Sequence, residues 1–172
     1  FILLGIGGKE LSEENAAQTA KALNIIQPDF IRVHATGIKL ESKLGEFVRD
    51  GSFTLQSEEE IVIEQKLFLQ QLHEMDSYYV NEHIVNLLLE VRGNLRTEKQ
   101  EMLSTIDRFL TLPPDERLLF TVGRRLNIFF RLDDLKKPKL HQKAGESLQQ
   151  ILSKNPHVDF AALCNYVRQS QI

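Results

Sequence analysis

The run Phe1-Ile2-Leu3-Leu4-Gly5-Ile6-Gly7-Gly8 constrains this chain more than any other stretch. A short, continuously apolar segment ending in a glycine turn reads as a strand buried on both faces, the kind found in parallel sheets covered by helices. The residues that follow keep to that plan. Ser12 stands where an N-cap belongs, with Glu13 and Glu14 in the first turn of a helix. Ala16, Ala20 and Leu23 share one face of it, and Pro28 ends it. Phe30-Ile31-Arg32-Val33-His34 is then a second strand. Strand, helix and strand within about 35 residues is the length of a βαβ unit, whose strands run parallel. Because such a strand cannot stand with both edges unpaired, the expectation is a piece of a larger protein, cut just before one strand of an α/β domain.

Further along, residues 41–50 predict a short helix stopped by Gly51, with Leu44, Phe47 and Val48 facing inward. Ser57-x-x-Glu60 fits a capping box opening a longer helix, whose Ile61, Val62, Phe68, Leu69 and Leu72 form one stripe. Ser77-Tyr78-Tyr79-Val80 predicts a third strand, followed by Asn81-Glu82-His83 and a helical pattern over 84–91. Beyond Gly93 no strand signal returns. Thr97-x-x-Gln100 fits another capping box, with Met102, Ile106, Phe109 and Leu110 inward. Pro113-Pro114-Asp115-Glu116 starts a helix expected to reach Phe130. Lys136-Lys137-Pro138-Lys139 reads as a linker, and a terminal helical pair is split at Asn155-Pro156. The expected fold class is therefore α/β, with parallel strands near 1–5, 29–34 and 77–81, outer helices, and a helical tail.

At 172 residues and 42% hydrophobic content, the chain can build a real core. A net charge of −3 gives no general affinity for phosphate backbones, and Arg124-Arg125 lacks interleaved aromatics, so nucleic acid is not an expected partner. No apolar run approaches the roughly 20 residues of a membrane span. Cys164, the single cysteine, rules out an intramolecular disulfide and any multi-cysteine metal site within the chain. With Phe160, Leu163 and Val167 it marks one helical face, which makes it a packing residue.

Gly5-Ile6-Gly7-Gly8-Lys9-Glu10 invites comparison with G-x-G-x-x-G, but Glu10 occupies the third glycine position. Glu10, Glu13 and Glu14 also put carboxylates where a phosphate would need bare amides. A positively charged ligand end, an ammonium or sulfonium, suits this turn better. The glycines equally fit a turn in which they serve backbone geometry alone, and both readings stay open on residue types.

The same string, the Ser-Glu-Glu helix and Pro28-Asp29-Phe30-Ile31-Arg32 resemble the later barrel strands of radical S-adenosylmethionine enzymes, in particular a bacterial Fe–S oxidoreductase-like group. The likeness continues through Leu44-Gly45-Glu46-Phe47, Gly51-Ser52-Phe53 and Asn81-Glu82-His83-Ile84-Val85-Asn86-Leu87-Leu88 to Leu112-Pro113-Pro114, over residues 1–135. It implies the C-terminal part of a TIM-type barrel over 1–135 with a helical tail over 136–172, in a cytoplasmic oxidoreductase. In that family a C-x-x-x-C-x-x-C motif after the first strand holds a 4Fe–4S cluster that binds S-adenosylmethionine. Those cysteines are not in this sequence, so the chain alone is expected to bind no cluster and to be inactive. By position, the resemblance assigns Gly5, Gly7, Gly8, Glu10, Val33 and His34 to the cofactor. The sequence departs from the family over Ala35-Thr36-Gly37-Ile38-Lys39-Leu40, where a proline-rich loop is common.

His83 would lie at the C-terminal mouth of such a barrel, flanked by Asn81 and Asn86, and these three are the candidate substrate contacts. Helix capping by Asn81, with His83 half exposed, is the bland alternative. His34 should face the same mouth, and Arg32 the other face. His73, His141 and His157 read as solvated. The expected partner is the missing N-terminal half of the barrel, with a small-molecule substrate of unknown identity. Until that half is present, self-association is expected, through residues 1–4, through the edge near 78–80, or by capping with the tail. Two other classes remain open: a complete small α/β ligand-binding module, and a helical interaction domain without catalysis.

Overall fold

The computed structural model describes residues 1–39 and 41–171, so Leu40 of the departing loop lies outside the described residues. The three apolar runs are strands: β1 (Ile2–Leu4), β2 (Phe30–Ala35) and β3 (Tyr78–Val80). They lie side by side and parallel, with Leu4 opposite Ala35 and Arg32 opposite Val80. The chain is thus α/β, with an open, mostly parallel sheet.

A fourth strand was not expected. β4 (Gly93–Asn94) runs antiparallel beside β3, Tyr79 opposite Gly93. Two residues carry no period to read. What fixes them is Glu98, whose Oε2 accepts from the Asn94 amide at 2.7 Å. β4 covers the outer edge of β3, so the edge near 78–80 is not open as anticipated. Among the described residues, β1 pairs only with β2.

One face of the sheet is covered. Leu4, Ile31, Val33, Ala35 and Tyr79 meet Ala16 and Ala20 of α1 (Ser12–Ile26), and Ile61, Val62, Phe68 and Leu69 of α3 (Glu58–Gln71). The alanines let α1 approach closely. The capping box of α3 forms as expected: Glu60 N donates to Ser57 Oγ at 3.3 Å and Ser57 N to Glu60 Oε2 at 2.7 Å. Ser12, by contrast, lies inside α1 behind an N-cap at Leu11 that makes no side-chain bond. In α2 (Lys43–Arg49), Ser42 caps, and Phe47 is exposed rather than inward.

Residues 84–91 are irregular, not helical, although Val85, Leu87, Leu88 and Val91 are buried. Their carbonyls are taken by side chains instead of by i+4 amides: Ile84 and Asn86 by Arg124, Val85 by Arg125, and Leu88 by Asn81. α4 (Lys99–Leu110) begins behind Glu98, so no Thr97–Gln100 box forms. α5 (Pro114–Arg125) stops short of Phe130. Asn127 takes φ 57°, and the chain folds back so that Ile128 N and Phe129 N both donate to Gly123 O, at 2.8 and 3.2 Å. A Cβ at Gly123 would lie 2.4 Å from the Phe129 ring, which stacks on Phe120 at 5.9 Å.

The expected linker is the joint between a 3-10 turn (Leu132–Lys136) and α6 (Pro138–Lys154). α6 and α7 (Phe160–Gln169) pack on α5, and α7 also reaches α3. The tail is docked on the helical side of the molecule. The second sheet face carries Leu3, Phe30, Arg32 and Tyr78 and is exposed. Among the described residues, no helix is long and apolar enough to cross a membrane.

Candidate functional site

Parallel strands bring their C-terminal ends to one edge, where open α/β sheets hold ligands. Here that edge gathers the glycine turn after β1, His34 and Thr36 at the end of β2, and the loop that begins at Asn81 after β3.

The turn is built by close backbone approach. Gly5 and Gly8 take φ +84° and +64°, and Gly8 N donates to Gly5 O at 3.2 Å. A Cβ on Gly8 would sit 3.0 Å from Thr54 O, and one on Gly7 3.0 Å from Leu11 O. These are positions only glycine fills without displacement. The Gly5 amide donates to Glu64 Oε1 at 3.1 Å, and Asn15 Nδ2 donates to the same oxygen at 2.7 Å. Glu64 is 1% exposed, and its Oε2 has no hydrogen-bond partner. Gln56 Oε1 also has none and lies 3.1 Å from where a Gly5 Cβ would be. Glu10 is fully exposed, and the Thr54 hydroxyl, with backbone amides, holds its carboxyl below the usual range. The turn is therefore rich in acceptors and negative charge, which repels phosphate and suits a cation.

Val33 and His34 go to opposite faces. Val33 is 0% exposed in the core, and its carbonyl is taken by the Asn86 side chain. His34 lies on the open face. Its ring stacks on His83, with centroids 4.3 Å apart and planes inclined by 25°, and meets Phe1 edge-on at 5.3 Å. Burial first, then the neighbouring His83, lowers the His34 pKa, so the imidazole is neutral at pH 7. Arg32 shares this face with His34, as residues two apart on a strand must. Its guanidinium lies 5.8 Å from the Phe1 ring centre instead of pairing with a helix carboxylate on the other face. Arg32, Val33, His34, Val80, Glu82 and His83 line a cleft of about 200 Å³. Glu82 pairs with Arg92 at its rim.

Asn81 and Asn86 are enclosed beneath this cleft, 1% and 4% exposed. Asn86 Nδ2 donates to Val33 O at 2.8 Å and to Asn81 Oδ1 at 2.7 Å, while its Oδ1 accepts from Ala35 N at 2.7 Å. Asn81 Nδ2 donates to Leu88 O at 2.6 Å. Both amides tie the end of β2 to the loop. His83 is half-buried, with Nδ1 accepting from Val85 N at 3.4 Å.

The sequence reading missed the side chains under the loop: Glu58, Arg124, Arg125 and Arg168, each at most 5% exposed. Arg124 and Arg125 face inward and offer no surface to nucleic acid. The only signal was an Arg-Arg pair on the buried side of a helix, which means nothing until its acceptors are known. Cys164 is packed on α7, and burial pushes its thiol up to about 12. Among the described residues, no cluster of His, Cys, Asp and Glu forms a metal site. No family model, curated protein or solved structure matches the chain.

Proposed function

We propose that this chain is the C-terminal part of a radical S-adenosylmethionine-type barrel, and that the edge formed by the glycine turn, His34 and His83 is its share of the cofactor and substrate pocket. The observation carrying this reading is the meeting of those three features at one parallel-strand edge, below an exposed, partly apolar sheet face. Such a face suits the inner wall of a barrel whose other strands come from elsewhere.

The residues fit the cofactor's cationic methionyl end. Glu64 Oε2 and Gln56 Oε1 are buried acceptors without partners beside Gly5, and Glu10 adds an anionic carboxylate. S-adenosylmethionine, when bound, supplies a sulfonium that can be cleaved reductively. The chain's part is to seat it: the glycines admit it close to the backbone, and neutral His34 with His83 offers a flat ring surface. The residues do not fit the iron–sulfur cluster. One thiol, enclosed on α7 and held protonated, is no cluster ligand, so the thiolates belong to residues outside this chain. Parent and cofactor together make a cytoplasmic oxidoreductase.

Extending the reading frame upstream should reveal C-x-x-x-C-x-x-C, and anaerobic reconstitution of that longer product should yield stoichiometric iron and sulfide and S-adenosylmethionine binding. A Gly8→Val variant should lose the binding while keeping the iron. A frame without the cysteines would sink the proposal. A second reading, a self-contained α/β ligand-binding module, is favoured by one feature: β4 closes the β3 edge from within the chain.

A further inference from the structure

Under the loop that carries His83, three arginines and one glutamate are buried together. Glu58 sits at the start of α3, 5% exposed. Arg125 of α5 grips it side-on, with Nε to Oε1 at 2.9 Å and Nη2 to Oε2 at 2.6 Å. Arg168 of α7 reaches the same carboxylate, Nη1 lying 3.4 Å from Oε1, and donates from Nη2 to Gln56 O at 3.3 Å and Asn165 Oδ1 at 2.9 Å. Arg125 also donates from Nη1 to Gln171 Oε1 at 3.2 Å, so α5 holds the far end of α7 as well. Two routes thus tie α7 to the Glu58–Arg125 pair.

Arg125 carries that tie onward. Its Nη2 donates to Val85 O at 2.8 Å and its Nη1 to Ile84 O at 3.3 Å. Arg124 Nη2 donates to Ile84 O at 3.1 Å and Asn86 O at 3.2 Å. The amide of the same Val85 donates to His83 Nδ1, and the Asn86 amide donates to His83 O at 2.9 Å. An accepting Nδ1 places the proton of a neutral His83 ring on Nε2. The line from α7 to the imidazole runs Arg168, Glu58, Arg125, Val85, His83.

The cluster is not built as an anion site. Arg124 Nε and Nη1 and Arg168 Nε make no hydrogen bond, Arg168 Nη1 keeps only its ion pair with Glu58, and Nη2 of each arginine is spent on protein acceptors. Neither guanidinium keeps a free fork for an oxyanion. The excess positive charge is spent on backbone carbonyls, which is what a clamp on an irregular loop requires.

We propose that α7 is a latch for the mouth loop, with Arg168 and Arg125 as positioning residues that set the orientation and tautomer of His83 over His34. The inference rests on reading this edge as the functional mouth, and it gives the helical tail a task there. Docked α7 steadies Arg125 on the carbonyls of Ile84 and Val85; released α7 loosens that grip, and His83 leaves the His34 ring.

The test uses the full chain without any cofactor, with ¹⁵N-labelled histidines and long-range ¹H–¹⁵N spectra. The wild type should give His83 as one tautomer with an accepting Nδ1, unlike exposed His73 and His157. In Arg168→Met, hydrogen exchange of α7 amides should accelerate about a hundredfold or more, because a buried charge pair is broken. The His83 nitrogens should then average toward the exposed histidines, with Arg168→Lys restoring most of the wild-type pattern. If Arg168→Met does not fold, Arg168→Lys alone must show a smaller change of the same kind. An unaltered His83 tautomer while α7 exchanges freely would overturn the latch, and so would an α7 that keeps full protection in Arg168→Met. Failure of S-adenosylmethionine binding in the longer product would remove the cofactor reading and leave these spectra unchanged.

Discussion

The two sides of this molecule invert the usual order of polar and apolar surface. On the helical side, Glu58, Arg124, Arg125 and Arg168 are buried, and they spend their charge on one another and on the loop carbonyls. On the open face of the sheet, Phe1, Leu3, Phe30 and Tyr78 are exposed, at 85%, 44%, 66% and 42%. Single exposed apolar residues are ordinary, whereas four on or beside one small sheet form a patch. The contrast sets a side whose polar groups are enclosed against one whose apolar groups are not.

Breaking the self-sufficient side should cost most. Glu58→Gln leaves Arg125 and Arg168 without their shared carboxylate, and stability should fall by about 3–5 kcal/mol in urea unfolding. Asn86→Ala removes the amide that joins Val33, Ala35 and Asn81. Stranding those buried groups should cost about 2–3 kcal/mol by the same measurement. Gly123→Ala drives a methyl into the Phe129 ring and should cost about 1–3 kcal/mol by overpacking.

A pH effect is confined to alkaline solution. The Cys164 thiol titrates near 9.0 when unfolded and is pushed up to about 12 when folded. Between those values the unfolded chain has lost the proton and the folded chain has kept it, so stability falls as pH rises through that window. Cys164→Ala should flatten the fall in stability above pH 9.0, leaving the rest to other groups. An identical slope in the variant would show that the thiol is not enclosed by α7.

The legible parts of the fold were those with a period. β1, β2, β3, the α3 capping box, the proline start of α5 and the break at Asn155-Pro156 all follow from local pattern. The loop at 84–91 was misread because its apolar spacing is helical while its carbonyls are claimed by arginines some 40 residues away in sequence, Arg125 to Ile84 being separated by 41. Nothing local records such a claim. β4 was too short to read, and the end of α5 depends on Asn127 taking a left-handed conformation. The sequence order put Gly5, Gly8, His34 and His83 at the ends of strands, and there they lie. Arg32 was placed on the wrong face relative to His34, although strand alternation fixes it. Glu64 and Glu58 could not be singled out, because a buried carboxylate and a solvated one look alike in a helix rich in glutamate.

On the open face the expected stability effect is the smallest of all. Leu3→Lys and Phe30→Lys should each change the unfolding free energy by no more than about 0.5 kcal/mol, because neither side chain packs against a covered core. Their effect belongs to association. Sedimentation of the full chain across a concentration series, beside the Leu3→Lys/Phe30→Lys variant, tests the central contrast most directly. The wild type should gain mass with concentration as the sheet faces cover one another, while the variant stays monomeric with an unchanged urea midpoint. A wild-type chain that remains monomeric throughout would contradict the account, since the exposed face would then need no partner.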